Sequence, residues 1–294
     1  MRKLIFILIF MASNTFAAPR ELGMMAWGIN TDQGKRIGVN EIRVGCYRGP
    51  EYCLKNISSL PLDGIRKVSI AFVRHENAGN AIRDAQLYSA QAGSLDVVRE
   101  LSIDDFFDFA STLPRSAAAD YLGKTIDAVK GASGKLDFGI TVYEDELLAI
   151  SSSQDIFPFS VRGRIDRVAL YLHYRNSVKK YAELIDLVRG IFPNAKLYLG
   201  VYNYDRRDYI SCGKSTGKLC TDSDELSLFS LAFREQMNLF RQGKVDGLEF
   251  YPGNFGNEDS WEGWKDDRLC SRSRKKACVR NSVEMNSNII KEFK

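Results

Sequence analysis

The segment RVALYLHYRNSVKKYAELIDLVRGIFPNAKLYLGVYNYD, residues 167–205, decides the fold. RVALYLHYR (167–175) alternates with period two and reads as a strand. VKKYAELIDLVRGIF (178–192) switches to helical spacing and is stopped by Phe192-Pro193-Asn194. KLYLGVYNYD (196–205) returns to strand. Strand, helix and strand in succession make a βαβ unit, whose two strands run parallel.

The same alternation extends in both directions. KLDFGITVYEDE (135–146) reads as a strand followed by a helix around 147–161. Beyond the unit come a capped helix over 222–243, a strand VDGLEFY (245–251) and a last helix over 279–293. Toward the start, RELGMMAWGIN (20–30) and RKVSIAFVRHE (66–76) read as strands, and residues 103–113 and 114–131 as helices. EIRVGCY (41–47) is a further strand candidate, and SLDVVREL (94–101) suits either state. A closed barrel and an open doubly wound sheet both fit such a pattern. The length of 294 residues, with no G-x-G-x-x-G turn, favours a single (β/α)8 TIM barrel. Counting 41–47 as strand two makes 245–251 strand eight.

Residues 1–17 stand apart from this pattern. Arg2 and Lys3 precede an apolar run from Leu4 to Ala12, and Thr15-Phe16-Ala17 offers a small-x-small cleavage site. That is a signal peptide, and its apolar run is too short to span a bilayer. The expectation is therefore export, periplasmic or secreted, with residues 18–294 as one domain and no membrane association after cleavage. The six cysteines form three close couples, and in an oxidising compartment local pairing of 46 with 53, 212 with 220 and 270 with 278 is the simplest connectivity. A net charge of +4 calls for no nucleic acid. The basic run RLCSRSRKKACVR (268–280) reads as a solvated loop or a contact for an anion.

Strand side chains alternate between the two faces of a barrel. Placing Leu248 and Phe250 toward the helices turns Glu249 and Tyr251 inward. The same parity turns Tyr143 and Asp145, Tyr171, His173 and Arg175, Tyr202 and Tyr204, and His75 inward. The inward set is expected to be small or apolar early in each strand and polar or aromatic late. The late layer falls at the carboxyl ends, where this architecture carries its sites. Two carboxylates there suit acid/base work on a glycosidic bond, with Glu249 as one and Glu144 or Asp145 as the other. Trp27, Trp261 and Trp264 supply flat faces on which sugar rings stack.

On these residues the chain resembles the (β/α)8 glycoside hydrolases. In their large two-glutamate clan the acid/base ends strand four and the nucleophile strand seven. Glu144 and Glu249 keep that three-strand interval, with Tyr143 standing where the clan has Asn. VDGLEFYPG also looks like part of the chitinase-type signature, without its Asp-x-Glu core. The resemblance implies a carbohydrate substrate or ligand and no cofactor. No HxH or HExxH spacing marks a metal. A non-catalytic glycan-binding barrel and a metal-dependent barrel hydrolase remain as alternatives.

Overall fold

A computed structural model describes residues 22–28, 32–73, 75–92, 95–131, 134–153, 155–173, 175–202, 222–251 and 287–293. Eight strands close into a barrel: β1 (Gly23–Trp27), β2 (Glu41–Gly45), β3 (Lys67–Val73), β4 (Val98–Ile103), β5 (Asp137–Tyr143), β6 (Arg167–Tyr171), β7 (Lys196–Tyr202) and β8 (Gly247–Tyr251). Each pairs in parallel with the next, and β1 pairs with β8 through Met25 opposite Glu249. Around them lie α1 (Asp32–Ile37), α2 (Pro50–Ser58), α3 (Ala81–Ala92), α4 (Phe106–Ser111), α5 (Ala118–Gly131), α6 (Leu147–Ser152), α7 (Phe159–Arg162), α8 (Tyr181–Ile191) and α9 (Asp222–Arg241). Residues 287–293 are also helical. The chain is a (β/α)8 TIM barrel.

The alternation that identified the strands also builds the main core. Val68, Ile70, Phe72, Phe138, Ile140, Val142, Leu197, Leu199, Leu248 and Phe250 are buried between strands and helices. Removing such side chains from water contributes roughly 25 cal/mol per Å² of apolar surface. Residues 41–45 and 98–103 are both strands, so 245–251 holds strand eight. The helix expected over 147–161 is two short ones, because Pro158 has no N–H to donate and sits at the N-cap of α7. The segment 81–92 forms α3, which the sequence pattern did not show.

The barrel interior departs from the expectation of an apolar early layer. Glu41, Arg43, Glu100 and Arg167 are each at most 3% exposed. Lys67, Glu100, Arg167, Glu249 and Arg43 form a chain of alternating charge, with successive contacts of 2.6, 2.6, 2.5 and 2.7 Å. Buried charge is tolerated only when paired and hydrogen-bonded, and here each ion meets its opposite. Two glycines make the space. A Cβ on Gly139 would lie 2.6 Å from Glu100 Oε1, and one on Gly200 would lie 2.2 Å from the Tyr171 ring.

Candidate functional site

The carboxyl ends of the strands hold two groups of residues at different depths. Glu249 forms the floor. It is fully buried, and its oxygens accept from Trp27 Nε1 at 2.9 Å, Arg43 Nη1 at 2.7 Å, Tyr171 OH at 3.1 Å and Arg167 Nη1 at 2.5 Å. Burial alone would push this carboxyl up, but the charges of Arg43 and Arg167 outweigh it and hold it below the usual value. Glu249 is therefore ionised. Arg43 also donates to Ser102 and Thr141, while its Nη2 has no partner among the described residues.

The rim is built by the turn after β5 and the end of β6. Glu144 accepts the backbone N–H of His173 at 2.9 Å, which fastens one strand end to the next. Burial pushes its carboxyl up, against the opposing pull of that hydrogen bond. Asp145 is exposed and lies 3.3 Å from His173 Nδ1. The His173 ring stacks on Tyr143 with centroids 4.1 Å apart. Glu146 accepts the backbone N–H of Tyr143 at 3.0 Å. Its carboxyl is pushed up to about 8, first by burial and then by the charges of Asp145, Asp108 and Asp105.

Floor and rim meet through two tyrosines. Tyr171, bonded to Glu249, has its ring centroid 6.3 Å from that of Tyr143. Trp27 and Tyr251 join at the opposite side of the mouth, edge to face at 5.6 Å. The structure thus brings together Glu249, Trp27 and Tyr251 on one side and Glu144, Asp145, Tyr143 and His173 on the other. His75 follows β3 in a 3-10 turn, and Arg175 opens another, but the side chains of both, and of Tyr202, lie outside the description. Tyr204, Trp261, Trp264 and the couples 212/220 and 270/278 fall outside the described residues altogether. Cys46 and Cys53 are paired as expected.

Three further residues belong to this mouth and escaped the sequence reading. Among the described residues, Arg43 and Arg167 are the cations that meet Glu249. Extending the alternation of 167–175 back by one step from Ala169 marks Arg167 as inward; Arg43 required EIRVGCY to be accepted as a strand. Asp105, just beyond β4, accepts the Tyr143 hydroxyl at 2.9 Å from a left-handed backbone with φ 47°. Such a conformation is costly for a residue with a Cβ and persists only where its surroundings enforce it. No sequence signal marks it. Ligating atoms of Glu144, Asp145 and His173 lie within 4.8 Å of one another, and these are the described residues that could converge on a cation.

A closed parallel barrel with a cluster of ionisable groups at the carboxyl ends of its strands defines a (β/α)8 barrel protein. No family model matches the sequence, and no curated protein matches it. Among solved structures it is similar to an FMN-binding beta-glucuronidase from Facaelibacterium prausnitzii L2-6, with a TM-score of 0.53 and 10% identity over 81% of this chain and 38% of that one. It is similar to a Bacteroides uniformis beta-glucuronidase at a TM-score of 0.52 and 8% identity, covering 80% of this chain and 30% of that one. An active-site mutant of Rhizomucor miehei beta-1,3-glucanosyltransferase, in complex with laminaritriose, matches at 0.50 and 10% identity over 78% and 86% of the two chains. The chain thus spans well under half the length of the two glucuronidases. At such identities the likeness establishes the barrel.

Proposed function

We propose that the chain is an exported, glycan-active barrel that hydrolyses a glycosidic bond with Glu249 and Glu144. The observation that carries this reading is the opposite displacement of two carboxyls at one barrel mouth. Glu249 is held ionised by Arg43 and Arg167, while Glu144 is pushed toward its protonated form by burial. Acid/base pairs are made by environments that separate two carboxyls in this way. Glu144 then serves as general acid toward the leaving oxygen, and Glu249 as nucleophile or base, with Asp145 beside the acid. Trp27, Tyr251 and Tyr143 offer ring faces to the sugar. The glycan enzymes among the structural neighbours support the same class.

A second reading follows from the bonding of Glu249. Glu249 has no exposure, and both oxygens are engaged within the protein, Oε1 by Trp27, Arg43 and Tyr171 and Oε2 by Arg167. That favours a barrel that binds a glycan without cleaving it. One experiment separates the two. Wild type, Glu249→Gln and Glu144→Gln are assayed for hydrolysis and binding on a polysaccharide panel, below the melting temperature of each. Cleavage lost in both variants supports the hydrolase. Binding without cleavage by wild type transfers the case to the silent barrel. Cleavage that vanishes on chelation would favour a metal-dependent hydrolase instead. Protein recovered outside the cytoplasm and beginning at residue 18 supports export.

A further inference from the structure

A cavity of about 420 Å³ lies beside the mouth and is used by none of the carboxylates above. It sits at the carboxyl end of β2, between the loop after that strand, α2, and Gly28 just beyond β1. Its size falls in the ~300–1,000 Å³ range of small-molecule sites. Val44 and Ile57 give it apolar wall, and Arg48, Tyr52 and Asn56 give it polar groups.

Tyr52 is the unusual member. The residue is 52% exposed, yet its side chain is held at its polar edge by the Asn56 side chain and by Arg48, whose Nη1 is 3.5 Å from the hydroxyl. The Arg48 guanidinium carbon also stands 5.4 Å from the ring centroid. The Cys46–Cys53 disulfide fixes the helix turn that carries Tyr52 to the end of β2. A half-exposed aromatic ring normally loses rotamer freedom when a ligand settles on it. Here much of that ordering is already done, which is how preorganised sites gain affinity. The cavity adjoins the mouth through its wall: Gly28, which lines it, donates its N–H to the Arg43 carbonyl at 2.7 Å, and Arg43 holds Glu249.

We propose that this cavity is a second glycan subsite, taking one sugar ring on the Tyr52 face with Arg48 and Asn56 bonding its hydroxyls, while the rest of the chain lies in the mouth. This rests on the glycan reading above, and the two are tested together but fail separately. The purified full chain is titrated calorimetrically with a length series of oligosaccharides from each polysaccharide on the panel, beside Tyr52→Ala, Tyr52→Trp and the mouth variant Tyr143→Ala. Tyr52→Ala weakens the longer oligosaccharides roughly tenfold, equivalent to about 1.4 kcal/mol. It leaves disaccharide binding and the melting temperature unchanged, and Tyr52→Trp restores the loss. If Tyr52→Ala binds every length as wild type does while Tyr143→Ala weakens them, the subsite is wrong and the mouth reading stands. A loss in Tyr52→Ala with none in Tyr143→Ala keeps the subsite and removes the mouth. No binding by wild type overturns both.

Discussion

Arg43 on β2 and Glu249 on β8 meet across the barrel interior at 2.7 Å, although β1 stands between their strands and neither pairs with the other. Replacing Glu249 by Gln leaves Arg43 and Arg167 buried beside a neutral amide. Breaking a buried pair from one side costs about 3–5 kcal/mol. The urea midpoint of Glu249→Gln should therefore fall well below wild type, whatever its effect on turnover. A midpoint matching wild type would show that the two arginines do not depend on this carboxylate.

Gly200 opposes Glu249 in the sheet, and its missing Cβ is the space that the Tyr171 ring occupies. In Gly200→Ala the ring must move, and its hydroxyl with it. Overpacking of this kind costs about 1–3 kcal/mol. The variant should unfold at lower denaturant and, on the hydrolase reading, lose turnover through the displaced Tyr171–Glu249 bond. Full stability would mean that the ring has room elsewhere.

Glu146 sets a pH dependence of definite sign. Its carboxyl rises from the usual 4.5 to about 8 in the folded protein. Between those values the folded state holds a proton that the unfolded chain has released. The associated stability is fully present below about 4.5 and is lost as pH rises through about 8. Glu146→Gln keeps an acceptor for the Tyr143 N–H and removes the titration. Melting curves of the two proteins should converge at low pH and separate toward pH 8, with the variant higher. Parallel curves across the range would refute the shift.

The Cys46–Cys53 bridge closes a short ring, with a sequence separation of 7. In the chain-entropy model a ring of that size contributes roughly 2.5 kcal/mol. The double variant Cys46→Ser, Cys53→Ser should lower the denaturant midpoint by that order. It should also weaken long oligosaccharides as Tyr52→Ala does, since the loop and α2 would no longer be tied.

The later strands were legible because their outward residues are branched or aromatic and alternate cleanly, as in Phe138, Ile140 and Val142. β2 and β4 were harder for one physical reason. Their inward positions hold Glu41, Arg43 and Glu100, whose partners Arg66, Lys67, Arg167, Tyr198 and Glu249 lie on other elements. A charge in a short strand reads as solvent-facing until the cation or anion opposite is known. α3 escaped for a related reason. Its buried residues Ala81, Asp84, Ala85, Tyr88 and Ser89 have helical spacing, but small and polar types give that spacing little hydrophobic signal.

The site was legible to the same depth. Parity along the strands led to Glu249, Tyr143 and His173 without any motif. It could not reveal that Glu144 would lie against the His173 amide, since that contact forms beyond the strand, where alternation ends. Asp105 depends on one left-handed backbone position, a property that Asp does not announce in sequence.

The alternating ion chain has a consequence for how this barrel assembles. Its members lie at positions 43, 67, 100, 167 and 249, so both halves of the polypeptide contribute. A fragment ending after β4 would contain Arg43, Lys67 and Glu100 but neither Arg167 nor Glu249. It would have to hydrate or expose Arg43, whose carboxylate contact among the described residues comes from the last strand. Arg43 gains this carboxylate partner when the last strand closes the barrel. Half-barrels of this sequence should therefore not be stable folding units, and duplication or exchange of halves is closed to it as a route of change unless the interior is rebuilt first.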